Sequence, residues 1–138
     1  MTVAKVGQVK QTLSKAMKDI CNPEKTRDMK LVNSNLDCEG KDPLRYAQQF
    51  MEQQQDMSIG RNGRRDSVLA HRIIQSFDPD DDITAQQAHE LGVRLMTELT
   101  DDDQYFVIAT YVDWHHIHNH IMLSPILISQ SGELAGPS

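Results

Sequence analysis

Three histidines at alternate positions of one short segment are the residues best suited to chemistry. His116, His118 and His120 lie in DWHHIHNHIML, residues 113–123. Alternate residues of a β-strand point to the same face, so the three imidazoles would form a row. Neutral imidazole is the commonest protein ligand for divalent transition metals. The segment therefore predicts a metal-binding strand, and a polar strand facing solvent is the alternative.

One metal ion cannot bind all three histidines. Neighbours on one face of a strand are about 6.6 Å apart at Cα, and the outer two about 13 Å, because each residue rises about 3.3 Å. Two adjacent imidazoles can converge on an ion, and a further ligand must come from another strand. His71 in AHRIIQSF and Asp113 are the candidates, whereas His89 is expected to be a surface residue of a helix.

Eight segments have the periodicity of regular secondary structure, and they must position these residues. The predicted strands and helices alternate in the order β-α-β-α-β-α-β-β: strands 2–9, 29–38, 67–77, 105–112 and 117–123, and helices 10–20, 43–57 and 84–99. Thr84 and Gln87 form a capping box for the last helix. We expect one α+β domain with a five-stranded, mainly antiparallel sheet, helices packed mainly on one face, and the histidines on the open face.

Charge is segregated along the chain, although its net value is −6. Residues 1–30 carry seven basic and three acidic residues, and residues 60–72 carry four arginines and one aspartate. Residues 78–103 carry nine carboxylates and one arginine. A polyanion could bind the two basic regions, and a solvated surface without a partner is the alternative. The candidate contacts are Lys25, Arg61, Arg64, Arg65 and Trp114, the last as a stacking platform for a nucleobase or as a cover for the core edge.

The sequence has no apolar run of the length that a membrane span needs, and its first residues lack a signal-peptide core. We therefore expect a cytoplasmic protein with no membrane partner. Cys21 and Cys38 have no metal-ligand spacing and are expected to be reduced thiols.

Three segments resemble the relaxases, or mobilisation nucleases, of conjugative plasmids and transposons, in the MOBP-type branch of the HUH endonucleases. They are AMKDICNPEKT (16–26), AHRIIQSFDPDDDITAQQAHELG (70–92) and FVIATYVDWHHIHNHIML (106–123). The resemblance covers about residues 3–134. It implies a single relaxase-like domain with a palm-like sheet over residues 1–138, truncated at its C-terminus, because family members continue into further domains.

The resemblance implies a relaxase that nicks single-stranded DNA at a plasmid or integrative-element transfer origin by metal-assisted transesterification, together with accessory relaxosome proteins. A divalent ion, Mg²⁺ or Mn²⁺, polarises the scissile phosphate while a tyrosine attacks, which leaves a 5′-phosphotyrosyl enzyme and a free 3′-OH. By position, His116 and His118 match the metal-binding pair. His120 matches a neighbouring histidine, and His71 matches one that precedes the QSF motif.

Two positions depart from the family's pattern. Tyr111 stands where a third metal-ligating histidine is usual, and Asp19 where the nucleophilic tyrosine is usual. The chain is then a relaxase-like module that binds DNA without cutting, or uses another nucleophile among Tyr111, Tyr46 and Tyr105, or carries Asp19 as a block to cleavage. Tyr111, beside the predicted metal, is the most suggestive nucleophile. An Asp19–phosphate anhydride would be too labile to protect a nicked end, so Asp19 is instead a candidate metal-side carboxylate. A small metal-binding protein of unrelated activity is the remaining class.

Overall fold

The computed structural model describes residues 2–36, 40–57, 68–113 and 116–129. It contains five strands and three helices in the predicted order. The strands are β1 Thr2–Val9, β2 Val32–Ser34, β3 Ala70–Phe77, β4 Gln104–Asp113 and β5 His116–Leu127, and the helices are α1 Leu13–Ile20, α2 Pro43–Met57 and α3 Ala85–Thr100. Arg61, Arg64, Arg65, Trp114 and Cys38 lie outside the described residues.

The strands form one antiparallel sheet in the order β1-β3-β5-β4-β2. This confirms the expected α+β class and the five-stranded sheet. The histidine strand β5 lies at the centre, between β3 and β4, so residues of both neighbours can flank its side chains. β2 is shorter than the predicted strand 29–38, because the chain turns repeatedly before it and the Leu31 amide donates to the Thr26 carbonyl.

The helices pack on both faces of the sheet, whereas the sequence predicted mainly one. Helices α1 and α2 pack with the Val107, Ala109 and Met122 side of the sheet. Helix α3 packs with the other side, formed by residues that alternate with these: Phe106, Ile108 and Ile121. The prediction was wrong in this detail because the central strands carry apolar side chains on both faces of the sheet. Each apolar face is stabilised when a helix covers it and removes it from water.

Helix α3 begins at the predicted capping box. The Thr84 hydroxyl accepts from the Gln87 amide, and the Gln87 side chain accepts from the Thr84 amide. This start orients α3 so that Ala88, His89 and Gly92 face the sheet, and His89 is 3% exposed. The expectation that His89 is a surface residue was therefore wrong.

Cys21, at the end of α1, is a free and buried thiol, as expected for a reduced structural cysteine. Burial raises its pKa to about 12, so it stays protonated. Among the described residues, no helix has the length and apolar character needed to cross a membrane.

Candidate functional site

The three histidines of β5 form a row on the sheet face that α1 and α2 partly cover, here called the histidine face. His118 pairs with Tyr111 of β4, and His120 pairs with Ala109. The ring centroids of His116 and His118 are 5.9 Å apart, and those of His118 and His120 are 6.2 Å apart. His116 is exposed, His118 is half-buried and His120 is 8% exposed. The row therefore runs from solvent, at the β4–β5 hairpin, into the protein.

Tyr111 connects this row to the end of α1. Its ring lies against His120, with centroids 4.0 Å apart. Its hydroxyl donates a 2.6 Å hydrogen bond to the backbone carbonyl of Asp19. The two positions that depart from the family's pattern are thus in contact, and Asp19 makes this hydrogen bond through its main chain.

Two cations belong to the same region. The Nζ of Lys25 lies 5.7 Å from the centroid of the Tyr111 ring, and the Lys25 carbonyl accepts from the Val112 amide. Arg72 of β3 pairs with Met122 of β5, which puts its side chain on the histidine face. The site is therefore built from four parts of the chain: the α1 end with the turn that follows, β3, β4 and β5.

Burial favours the uncharged forms of His118, His120 and Tyr111. Burial is the main cause that lowers the pKa of His120 to about 4, and the charges of Arg72, His118 and Lys25 add to it. The pKa of His118 is lowered by burial and then by His116, against the attraction of Asp113. Burial raises the pKa of Tyr111 to about 12, against the effect of Arg72. Tyr111 is accordingly a protonated phenol.

These residues do not form a complete metal site. Among the described residues, no group of three histidines, cysteines or carboxylates could hold a metal ion. The pair His116 and His118 offers imidazole nitrogens, but the third position carries a phenol whose proton is donated to a carbonyl. A neutral phenol with that hydrogen bond is a poor substitute for imidazole as a ligand of Mg²⁺ or Mn²⁺.

His71, the predicted ligand from a neighbouring strand, lies on the opposite face. It pairs with Leu123, which packs against the cluster under α3. The structure therefore does not bring His71 together with His116 and His118. Asp113, the other candidate, pairs with His116 at the hairpin end of the sheet.

The remaining tyrosines are not part of the site. Tyr46 is 2% exposed within the core formed by α1, α2 and the sheet. Tyr105 is partly buried against that same core, near the opposite end of β4 from Tyr111. Of the tyrosines that the sequence offers as nucleophiles, Tyr111 is the strand partner of His118 and has its ring against His120.

A buried polar network behind the histidine strand was missed in the sequence. The Thr110 hydroxyl donates to Asn119 Oδ1 at 2.6 Å, and His89 Nδ1 lies 2.6 Å from the same hydroxyl. Because the single hydroxyl proton goes to Asn119, His89 Nδ1 is the donor to Thr110. Burial is the main cause that lowers the pKa of His89 to about 4.

Asn119 completes this network between two histidines of the row. Its Nδ2 donates to the Ala88 carbonyl at 2.9 Å and to Gln75 Oε1 at 3.0 Å. Asn119 is fully buried and points to the face opposite His118 and His120. The network therefore joins β3, β4, β5 and α3 directly behind the site. The small residues at helical spacing, Ala85, Ala88 and Gly92, were the signal that this side of α3 packs closely.

A cavity of about 300 Å³ opens beside His116. It lies between the turn that follows β3 and the β4–β5 hairpin, and its lining residues are Phe77, Asp78, Pro79, Asp81, Ile83, Val112, Asp113, His116 and Ile117. The lining therefore combines apolar side chains with three carboxylates, beside the solvent-facing end of the histidine row.

Comparison with known proteins identifies a matching family and several similar proteins. The family of MobA/VirD2-like relaxase nuclease domains matches residues 17–131. The group II intron-interrupted relaxase LtrB of Lactococcus lactis subsp. cremoris is 49% identical over 61 residues, which are 44% of this chain and 11% of that protein. Protein rlx of Staphylococcus aureus is 30% identical over 126 residues, 91% of this chain and 35% of that protein.

The chain spans between about a tenth and about a third of the length of these relatives. The family match, by contrast, covers most of the chain and includes α2, α3 and the whole histidine strand. Family, fold and the HIHNH strand agree with one another. The chain belongs to the MobA/VirD2-like relaxase nuclease domain family.

Proposed function

We propose that this chain binds single-stranded DNA at the transfer origin of a plasmid or integrative element, as the DNA-handling domain of a relaxase. Its family and a relative named as a relaxase support this function. A cytoplasmic location and accessory relaxosome proteins belong to the same proposal.

The observation that carries the proposal is the contact between positions 19 and 111. The resemblance assigns the nucleophile to the first position and a metal ligand to the second. The Tyr111 hydroxyl lies 2.6 Å from the Asp19 carbonyl, and Tyr111 is the strand partner of His118. The two positions, 92 residues apart in the sequence, thus meet beside the histidine row, which supports a shared role in handling a phosphate. The cavity of about 300 Å³ beside His116 would accommodate part of a nucleotide.

Binding without cleavage is the form of this function that the geometry supports best. Asp19 has no hydroxyl to attack phosphorus, and an aspartyl phosphate would hydrolyse. Tyr111 is held by its hydrogen bond and by the His120 ring, and its pKa of about 12 opposes formation of the phenolate nucleophile. Positions 19 and 111 thus lack the two side chains that the resemblance implies for cleavage.

Nicking through Tyr111 is the second candidate, because this phenol lies on the histidine face. The Tyr111 oxygen would form a bond to phosphorus, the bond from phosphorus to O3′ would break, and the phenolic proton would end on O3′. The product would be a 5′-phosphotyrosyl link to Tyr111 and a free 3′-OH.

A covalent-adduct assay separates the two candidates. The wild-type protein, Tyr111→Phe and the double variant Asp19→Tyr/Tyr111→His are each incubated with Mn²⁺ and a single-stranded DNA library that has a randomised central segment. Binding is measured by retention of the library, and cleavage by DNA that stays attached to protein in SDS. Asp19→Asn/Tyr111→Phe is the matched control without either reactive group.

Binding without cleavage predicts that wild type retains DNA, forms no SDS-resistant species, and gains that species in the double variant. An adduct in wild type that Tyr111→Phe abolishes would establish nicking through Tyr111. If neither wild type nor the double variant retained DNA, the proposed function would be wrong.

A further inference from the structure

We infer that Arg72 and Lys25 form a binding site for a DNA phosphate on the histidine face, which holds the backbone without a divalent metal. The inference rests on the proposed function for its ligand, single-stranded DNA. It adds Arg72, a residue that the sequence analysis did not select, and it assigns to side chains the positive charge that a metal ion would otherwise supply.

Arg72 is poised to bind an anion. It is partly buried on β3, between Gly7 of β1 and Met122 of β5. Its Nε is buried and has no hydrogen-bond partner among the described residues. A guanidinium forms strong, charge-assisted hydrogen bonds with phosphate oxygens. A phosphate would therefore supply the acceptor that this N–H lacks.

The space next to Arg72 is open. Gly7 is its direct cross-strand neighbour, so both residues face the same side of the sheet. A Cβ added at Gly7 would meet nothing within 4 Å. A ligand can thus approach the guanidinium over Gly7, at a strand that forms the edge of the sheet.

Lys25 brings a second positive charge to the same face. Its side chain is exposed and its Nζ lies 5.7 Å from the Tyr111 ring centroid. The charges of Lys25 and Arg72 both lower the pKa of His120. The Nδ1 of His120 is also buried without a partner among the described residues, so a further polar atom is available beside the two cations.

Two carboxylates belong to the same region, and each acts on a different group of the face. Asp19 raises the pKa of Tyr111, and this effect is smaller than the opposite effect of Arg72. Asp113 acts on His118, nearer the hairpin. The inner part of the face therefore favours an anion, while the third position of the expected metal site is taken by a protonated phenol.

The test measures the affinity for a labelled single-stranded oligonucleotide of mixed sequence at low salt, in EDTA and in Mn²⁺. The variants are Arg72→Gln, Lys25→Gln and, as a matched control, Arg94→Gln, which removes an exposed arginine from α3 on the other side of the sheet. Arg72→Lys retains the charge, and thermal unfolding of each variant monitors folding.

We expect wild type to bind equally in EDTA and in Mn²⁺. Arg72→Gln should bind about tenfold more weakly in both, as expected when a charge-assisted hydrogen bond is lost, and Lys25→Gln should bind less tightly as well. Arg72→Lys should recover part of the affinity, and Arg94→Gln should match wild type. The inference would be overturned if wild type bound DNA in Mn²⁺ but not in EDTA, or if Arg72→Gln bound DNA as tightly as Arg94→Gln. Neither result would contradict DNA binding itself.

A second probe separates this inference from the proposed function. Pyrophosphate is titrated in EDTA while the NMR signals of Tyr111 and His120 are followed. Shifts that saturate in wild type and vanish in Arg72→Gln support the phosphate site even if the protein binds no DNA. The absence of saturating shifts in wild type would count against the site, whatever the DNA result.

Discussion

Tyr111 stacks on His120 and donates its hydroxyl proton to Asp19, at the position where the resemblance implies a metal-binding histidine. The phenol is neutral and its hydroxyl is already engaged, so it contributes no ligand. His116 and His118 remain as neighbouring imidazoles without a third donor from β4. We therefore expect this one side chain to determine how the site treats a divalent ion.

Replacing Tyr111 by histidine should create a metal site. In calorimetric titrations with Mn²⁺, we expect no saturable site in wild type and one site per chain in Tyr111→His, because three imidazoles then share one face. The triple variant Tyr111→His/His116→Ala/His118→Ala is the control and should lose that site. One Mn²⁺ per chain in wild type, lost in His116→Ala/His118→Ala, would show that the existing pair is sufficient.

His89 should make stability depend on pH. Its pKa is lowered in the folded protein to about 4 from an ordinary value of 6.5, so the unfolded chain binds more protons between these values. Stability should be fully present above about pH 6.5 and should fall as the pH drops toward 4, by at most about 1.4 kcal/mol per pH unit for one group.

The measurement is urea unfolding at several pH values, with His89→Gln for comparison. Glutamine can still form hydrogen bonds but does not titrate. His120 also has a lowered pKa of about 4, so some dependence should persist in the variant. Identical pH profiles for His89→Gln and wild type would contradict the expected role of His89.

Helix α3 fits closely against the back of the histidine strand. A Cβ at Gly92 would lie 2.6 Å from Asn119 Nδ2 and would also collide with Ile108 Cδ1. Glycine fits here because the side chains of Ile108 and Asn119 fill the space that a Cβ would occupy. The contact matters for the site, because Asn119 lies between His118 and His120 in β5.

Gly92→Ala should therefore destabilise the fold by about 1–3 kcal/mol, the usual cost of overpacking a core. The control is Gly7→Ala, which meets nothing within 4 Å and should leave stability nearly unchanged. Chemical denaturation measures both. Equal stabilities for the two variants would show that α3 can move away from the sheet at little cost.

The whole molecule carries a net charge of −6, yet it is proposed to bind a polyanion. The basic segments 1–30 and 60–72 include β1 and the start of β3, and the acidic segment 78–103 includes α3 on the other face. Such a separation allows DNA to contact one side while the acidic side faces away.

DNA affinity should fall steeply with salt concentration, because each phosphate that the protein neutralises releases counterions. Arg64→Ala/Arg65→Ala should weaken binding to all sequences and reduce the slope of log affinity against log salt by about 0.7 for each phosphate no longer neutralised. Binding isotherms at several salt concentrations measure this slope, with Arg94→Gln as the control. An unchanged slope would show that segment 60–72 does not neutralise DNA phosphates.

Much of the architecture could be predicted because its signals are local. The alternation in β4 and β5, the helical spacing in α2 and the Thr84–Gln87 capping box depend on neighbours a few residues apart. The same is true of the histidine row, since a strand of any sheet presents His116, His118 and His120 on one side. Family membership also follows from short contiguous motifs.

Other features depend on how distant segments pair, which no local pattern contains. β3 is partly buried along most of its length, so its sequence does not reveal which face His71 or Arg72 occupies. A shift of one residue in the strand register would move each of these two side chains to the opposite face of the sheet. The contact of Asp19 with Tyr111 spans 92 residues.

By itself, the sequence determined the elements, the sheet class, the family and the row of histidines, because backbone periodicity and short motifs are properties of neighbouring residues. The tertiary structure decided that helices cover both faces, that His89 is buried, that His71 is separated from the other histidines, and that Arg72 joins them. These outcomes depend on register and on the burial of apolar surface, and both are settled only when the whole sheet assembles.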